Sequence, residues 1–139
     1  MITFTLAAAA ILGLIIGSFL NVCIYRIPRS ESFYAEENGE TENILAPVGF
    51  NDPPRSVCIK CNNQLKWWHN IPVLSWIILG GKCGFCKTKI SIRYPAVELL
   101  TSLIGVLSFG LYGVTLTAGI IFLFSCALLV ITFIDYDYY

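Results

Sequence analysis

Apolar residues occupy both ends of the chain, with a polar segment between them. Residues 1–25 contain no charged side chain, and within residues 96–134 Glu98 alone is charged. A helix needs about 20 apolar residues to cross the roughly 30 Å of hydrocarbon in a membrane. The first run therefore predicts one membrane-spanning helix, and the second run, with 39 residues, is long enough for two.

The second apolar run has a natural break at residues 110–113. These residues read Gly-Leu-Tyr-Gly, which favours a tight turn. We therefore expect a transmembrane hairpin within residues 95–139. Its arms run from about Ala96 to Phe109, extended slightly at each end, and from Val114 to Ile134.

The first apolar run predicts an uncleaved membrane helix over residues 1–25. A cleaved signal peptide is the competing interpretation, but no basic residue precedes the apolar core here. Gly13 and Gly17 have the four-residue spacing that allows a close contact with another helix. Pro28 is expected to end this helix, because proline cannot donate a backbone hydrogen bond.

Composition and charge narrow the class of protein and its orientation. Hydrophobic residues make up 56% of the chain and charged residues 13%, and the mean hydropathy is +0.71. This high hydrophobic content and low charge exclude a disordered chain. A net charge of zero also disfavours a nucleic-acid-binding protein, which carries an excess of basic residues. All nine lysines and arginines lie between Arg26 and Arg93, so the positive-inside rule places the loop of residues 26–94 in the cytoplasm.

Aromatic and acidic residues near the loop support two further expectations. Trp67, Trp68 and Trp76 lie close together in the sequence and indicate a loop packed at the membrane interface, where tryptophan is enriched. Glu98, in the first turn of the second membrane helix, suits the positive end of the helix dipole. An ion pair with Arg93 is the alternative for this carboxylate.

Two C-x2-C pairs, Cys58 with Cys61 and Cys83 with Cys86, are separated by 21 residues in the loop. Four thiolates can close a tetrahedral zinc site, which would be structural because no coordination position stays open. Two disulfides are the rival interpretation, although a cytoplasmic loop is reducing and favours a metal. The predicted fold class is an α-helical polytopic membrane protein: about three transmembrane helices, with a cytoplasmic zinc-binding loop (about residues 54–94) between the first and second.

Two aspartates, Asp135 and Asp137, lie at the cytoplasmic end of the third helix. Either they mark where the helix meets water, or a carboxylate at the membrane edge does acid–base work. Aspartic proteolysis needs two carboxylates that share a proton. On a continuing helix these two would point roughly 200° apart, so the partner of either would come from elsewhere. Asp52 is the chain's other aspartate and has no motif around it.

Nine short segments follow one another in a distinctive order along the chain. They are Gly17-Ser-Phe-Leu-Asn21, Tyr25-Arg-Ile-Pro28, Cys58-x2-Cys61, Trp68-His-Asn-Ile-Pro72, Leu74-Ser-Trp76, Gly80-Gly-Lys-Cys83-x2-Cys86, Ile90-Ser-Ile-Arg-Tyr-Pro95, Val97-Glu-Leu-Leu100 and Phe133-Ile-Asp-Tyr-Asp137. Each segment is a weak signal, but the ordered set covers most of the chain and is highly specific. In this order the segments resemble the N-terminal part of the bacterial prepilin peptidases (type IV leader peptidases, peptidase family A24).

The resemblance implies a multi-pass enzyme of the bacterial inner membrane, an aspartic endopeptidase of the Gly-x-Gly-Asp type. Such an enzyme cuts the leader from prepilins or pseudopilins of type IV pilus or type II secretion systems, just after a glycine. It then N-methylates the new N-terminus with S-adenosylmethionine. Carried over, the zinc ligands would be Cys58, Cys61, Cys83 and Cys86. The first catalytic aspartate falls in Asp135-x-Asp137, with Asp137 favoured.

The chain departs from the family pattern in two places. Ile59 stands where the family usually has proline, and no Gly-x-Gly-Asp motif occurs before the last residue, Tyr139. The chain is therefore expected to be an N-terminal part that lacks the second catalytic aspartate. Its expected partners are a prepilin or pseudopilin, the lipid bilayer and a C-terminal half carrying that motif, with no nucleic acid. The alternative is a non-catalytic, membrane-anchored zinc module that assembles with another subunit.

Overall fold

The computed structural model describes residues 1–30, 58, 61 and 63–138. Its elements in order are α1 (Ile2–Ser30), a 3-10 helix (Trp67–Asn70), α2 (Leu74–Ile78), α3 (Arg93–Tyr112) and α4 (Leu116–Tyr138). Within these residues, three helices are long and apolar enough to cross a membrane: Ile2–Pro28, Arg93–Tyr112 and Leu116–Asp137. A cysteine cluster lies between the first and second of them, so the predicted fold class is confirmed.

The limits of the helices differ from the predicted ones, since α1 and α3 are longer than expected and α4 runs from Leu116 to Tyr138. α1 continues through Pro28 to Ser30, so the expectation that this proline ends the helix is wrong. The proline removes one hydrogen bond, to the carbonyl of Ile24, and less than one turn follows it, so little of the helix is weakened. α3 begins at Arg93, ahead of the apolar run. α3 also continues through Tyr112, so of the predicted turn residues 110–113 Gly113 alone lies outside the helix. Its φ of +64° is a conformation that glycine adopts without a steric penalty.

α1 and α3 approach so closely that their backbones touch. A Cβ atom added to Gly13 would lie 2.5 Å from the Cα of Ser102, and one added to Gly17 would lie 2.7 Å from the Cα of Glu98. Side chains larger than hydrogen therefore do not fit unless a helix moves. The Ser102 hydroxyl donates across the same contact to the carbonyl of Ala10, at 3.0 Å. The contact predicted from the glycine spacing is confirmed.

α4 packs against the α1–α3 pair through a small apolar core. The buried members of this core are Leu20, Ile24, Val97, Phe122 and Cys126. Beside it, the rings of Phe109 and Phe122 are 6.0 Å apart between centroids. Large apolar side chains such as Ile15, Leu103 and Leu123 remain exposed on the outer faces of the three helices. These outer faces suit contact with lipid acyl chains, which are as apolar as the side chains themselves.

A compact hairpin, residues 81–90, lies between α2 and α3. The Ile90 N–H donates to the carbonyl of Gly81 at 2.7 Å, and Lys82 pairs with Lys89 in an antiparallel bridge. Trp76 of α2 packs on this hairpin, because its Nε1–H donates to the Ile90 carbonyl at 3.2 Å. Gly81 makes room for the indole ring, since a Cβ atom there would lie 2.9 Å from it. The hairpin and α2 therefore form one unit.

Replacing Gly13 with alanine is expected to lower the free energy of unfolding by about 1–3 kcal/mol, because the added methyl group would overlap the backbone of α3. Gly119→Ala is the matched control: nothing lies within 4 Å of a Cβ atom there, and alanine favours a helix more than glycine does. Thermal unfolding of the whole chain in detergent measures both variants. Equal midpoints for Gly13→Ala and the wild type would contradict the backbone contact.

Candidate functional site

The structure brings the four loop cysteines into one cluster. The Sγ atoms of Cys58, Cys61, Cys83 and Cys86 all lie within 4.8 Å of one another. The sulfurs of Cys58 and Cys86 are 3.7 Å apart, close to the roughly 3.8 Å edge of a tetrahedron with zinc–sulfur bonds of about 2.3 Å. All six cysteines of the chain are free thiols, which favours the metal over the disulfide interpretation. The cluster could therefore hold a metal ion.

Backbone hydrogen bonds position the cysteines of each pair. The Cys58 N–H donates to the carbonyl of Asn63 at 3.1 Å, which turns the chain at the first pair. The Cys83 N–H donates to the carbonyl of Thr88 at 2.8 Å, and the Lys87 N–H donates back to the Cys83 carbonyl at 3.1 Å. Lys87 has a φ of +57°, which closes the tip of the hairpin. The two cysteines of the second pair therefore face the same side.

Cys86 is already disposed to act as a thiolate ligand. Hydrogen bonds with the Thr88 hydroxyl and the Thr88 backbone lower the pKa of the Cys86 thiol to about 6, and Cys61 and Cys58 contribute to the same shift. The Sγ atom lies 3.2 Å from the Thr88 hydroxyl oxygen. Because metals bind the thiolate and not the thiol, this environment reduces the cost of binding a cation at neutral pH.

His69 packs against the second cysteine pair but is not one of the clustered ligands. A Cβ atom added to Gly84 would lie 2.9 Å from the His69 Cε1 atom, so the imidazole lies directly over that glycine. Its ring meets the Phe85 ring edge-to-face with centroids 5.8 Å apart. His69 therefore links the 3-10 helix to the hairpin, at a position that the sequence marks only as a single polar residue beside tryptophans.

The two aspartates have different environments at the end of α4. The Asp137 carboxylate forms an ion pair with Arg93, the first residue of α3. Asp135 is exposed. Because α4 continues as a helix through Tyr138, the two carboxylates point roughly 200° apart and cannot face one water. Asp52, the chain's remaining aspartate, lies outside the described residues.

Glu98 has a partner that neither sequence-based expectation identified. Its Oε2 atom accepts the Val73 N–H at 2.7 Å, and the Ser18 hydroxyl hydrogen-bonds to the same carboxyl group. Val73 has φ +59° and ψ −48°, and the Leu74 N–H donates to the Pro72 carbonyl at 2.5 Å. This is a γ-turn of the rare, strained form. A buried carboxylate in an apolar run does signal that a polar partner exists, but not which one.

Asn21 makes a further polar contact between α1 and α3. Its Nδ2–H donates to the Tyr94 carbonyl at 3.0 Å, and the residue is buried. Tyr94 is in the first turn of α3, beside the Arg93 that binds Asp137. The loop end of the helix bundle is therefore held by polar contacts from three different helices.

Comparison with known proteins identifies the family. Residues 11–112 match the family model described as the bacterial peptidase A24 N-terminal domain. The chain belongs to this family. The resemblance inferred from the ordered motifs is therefore confirmed, and the match spans most of α1, the cysteine loop and α3.

Named relatives agree with this assignment. The chain is 41% identical to a prepilin leader peptidase/N-methyltransferase of Neisseria gonorrhoeae, over 96% of this chain and 49% of the relative. It is 41% identical to a protein of the same name from Stutzerimonas stutzeri, over 94% and 47%. It is 40% identical to a type 4 prepilin-like proteins leader peptide-processing enzyme of Escherichia coli, over 94% and 48%. The chain spans about half the length of the curated relatives it matches, and no solved structure matches it significantly.

We expect the purified chain to hold about one zinc ion, bound by the four clustered thiolates. Cys58→Ser and Cys83→Ser should each lose the metal, because three thiolates and a hydroxyl bind zinc far more weakly. Cys23→Ala and Cys126→Ala are the matched controls, since both thiols are buried in the membrane helices. Elemental analysis of the purified variants measures the number of zinc ions per chain. Metal content that survives loss of Cys58 and Cys83 would refute the site.

Replacing Glu98 with leucine is expected to destabilise the chain by about 1–3 kcal/mol, because the Val73 N–H would lose its acceptor in a strained turn. Glu98→Gln keeps an oxygen that can accept this bond and should stay close to the wild type. Thermal unfolding reports the loss, and limited proteolysis shows whether residues 67–78 become accessible. If leucine and glutamine behave alike in both measurements, the hydrogen bond is not what holds the loop.

Proposed function

We propose that this chain is the N-terminal part of a prepilin leader peptidase and N-methyltransferase. The observation that carries the proposal is the identity of 36–41% with prepilin leader peptidases/N-methyltransferases over more than nine-tenths of the chain. The reaction would be removal of the leader from a type IV prepilin or pseudopilin after a glycine. Methylation of the new N-terminus with S-adenosylmethionine would follow.

The proposed location is the bacterial inner membrane, with the cysteine loop in the cytoplasm. The concentration of every lysine and arginine between Arg26 and Arg93 supports this orientation. In this orientation the end of α4 carries Asp135 and Asp137 to the cytoplasmic face, where a leader that remains in the cytoplasm can reach them. The loop would hold a structural zinc ion, and a reducing cytoplasm would keep its cysteines available as thiolates.

The first catalytic carboxylate would come from the Asp135-x-Asp137 motif. The resemblance favours Asp137, but the contacts of the two residues support the opposite assignment. A protease dyad needs a carboxylate that shares a proton with a second carboxylate, whereas Asp137 already has a cationic partner in Arg93. We therefore assign the proton-sharing role to the exposed Asp135. Asp137 would hold the end of α4 against α3.

The second carboxylate would come from a C-terminal half. The chain has no Gly-x-Gly-Asp motif, and the helical geometry prevents Asp135 and Asp137 from serving as the dyad together. Complete activity would therefore need a segment that corresponds to the half of the relatives that this chain does not match.

Prepilin cleavage is expected only when both halves are present. The 139 residues alone should remove no leader, whereas the same residues joined to the unmatched half of the Neisseria gonorrhoeae relative should cleave a prepilin. In this chimera, Asp135→Asn should lower the cleavage rate by about a hundredfold or more, because proton transfer is lost. Asp137→Asn should keep measurable activity. Mass spectrometry of the prepilin measures the removal of the leader.

Zinc content and thermal unfolding of each chimera serve as controls for folding. Leader removal by the 139 residues alone would contradict the two-carboxylate requirement. An active Asp135→Asn chimera with an inactive Asp137→Asn chimera would reverse the assignment. A folded, zinc-loaded chimera that cleaves nothing would favour a non-catalytic zinc module that assembles with another subunit.

A further inference from the structure

Helix α2 presents an apolar face that nothing in the described part of the chain covers. Leu74, Ile77 and Ile78 are 57%, 61% and 79% exposed. At 100° per residue these three side chains lie within about 100° of one another on the helix surface. Trp76 lies on the opposite side, where it packs on Gly81 and Ile90 of the hairpin. The hairpin therefore fixes the direction of the apolar face, which points away from it.

A hydrogen bond places α2 at the level of the membrane-spanning α3. The Val73 N–H, one residue before α2, donates to Glu98, which is in the second turn of α3. A helix rises about 1.5 Å per residue, so Glu98 lies only about 7.5 Å along the axis from Arg93. Ile92, just before α3, is 70% exposed. The start of α2 is therefore beside the end of a membrane span and not far out in water.

The charge around α2 matches an anionic surface. Residues 63–92 contain four lysines and no aspartate or glutamate. The four are Lys66, Lys82, Lys87 and Lys89, and all of them are exposed. Anionic lipids give the cytoplasmic leaflet a negative surface potential that attracts lysines close to a membrane span.

From these three observations we infer that α2 lies in the membrane interface, with its Leu74, Ile77 and Ile78 face in the acyl boundary and the neighbouring lysines at anionic headgroups. An apolar face flanked by basic residues is the pattern of helices that lie in this layer. The sequence predicts an interfacial loop from the tryptophans at positions 67, 68 and 76. In the structure, however, the Trp76 ring packs on the hairpin and hydrogen-bonds to it. The aliphatic side chains of α2 take the interfacial role.

This arrangement holds the metal-binding hairpin against the bilayer surface. Trp76 connects α2 to the hairpin that carries Cys83 and Cys86, so the depth of α2 sets the position of the cysteine cluster. The inference does not depend on the proposed enzymatic function, because it concerns lipid contact alone and its test needs no substrate.

The test is photo-crosslinking of the full chain in lipid nanodiscs. A benzophenone amino acid replaces Ile78, the most exposed residue of the face, and a second variant carries it at Ile77 in case the first fails to fold. The matched control carries it at Gln64, an exposed polar residue of the same loop. In bilayers that contain phosphatidylglycerol, lipid adducts at Ile77 and Ile78 should exceed those at Gln64 by about fivefold or more. Mass spectrometry of the peptides identifies each adduct.

Each alternative has a distinct result. Adducts from Ile77 and Ile78 to peptides of the same chain or of a second copy would overturn the inference in favour of a protein contact. Equal lipid labelling at Gln64 and Ile78 would also overturn it, because exposure alone would then be enough to produce lipid adducts. In bilayers of phosphatidylcholine alone, labelling at Ile78 should fall by about twofold or more, since the lysines lose their anionic partners. Unchanged labelling would overturn the inferred contact between the lysines and anionic headgroups.

Discussion

The backbone contact between α1 and α3 is the constraint on which the rest of the structure depends. Gly17 brings α1 within contact of the α3 backbone at Glu98, and Gly13 does the same one turn further along. This proximity puts the Ser18 hydroxyl beside the Glu98 carboxyl group, whose other contact is the Val73 amide. The Glu98 carboxyl group therefore connects the contact between the two membrane helices to the loop. This connection sets where α2 and the hairpin can lie.

The carboxylates near the end of the bundle have separate tasks because their partners differ in chemistry. Glu98 accepts a backbone hydrogen bond that holds an otherwise unfavourable γ-turn at Val73, a conformation that costs of order 1–3 kcal/mol in a non-glycine residue. Asp137 binds the guanidinium of Arg93 and ties α4 to α3. Asp135 is exposed, and it is the carboxylate to which the proposed function assigns the proton-sharing role. The role of each acidic residue near this end of the bundle therefore depends on the groups that contact its carboxylate.

The cysteine cluster and the helices are two structures joined by a small number of contacts. Hydrogen bonds within the loop form the cluster, above all those that Thr88 makes with Cys83 and Cys86. The Trp76 indole N–H then binds α2 to the hairpin through the Ile90 carbonyl, and the Val73 N–H binds the start of α2 to the Glu98 carboxylate. Because each of these two connections uses one hydrogen bond, a few named residues set the position of the cysteine cluster relative to the helices in the described part of the chain.

The sequence by itself determined the features that depend on residues close together in the chain. Apolar runs predicted three candidate membrane spans, the two C-x2-C pairs predicted the cysteine cluster, and the spacing of Gly13 and Gly17 predicted a helix contact. Only the tertiary structure decided which distant groups meet: Asn21 binds Tyr94, 73 residues away, and Arg93 binds Asp137, 44 residues away, instead of Glu98. Spacing and periodicity are local properties, whereas the partner of a buried polar group depends on which helices become neighbours and at what rotation.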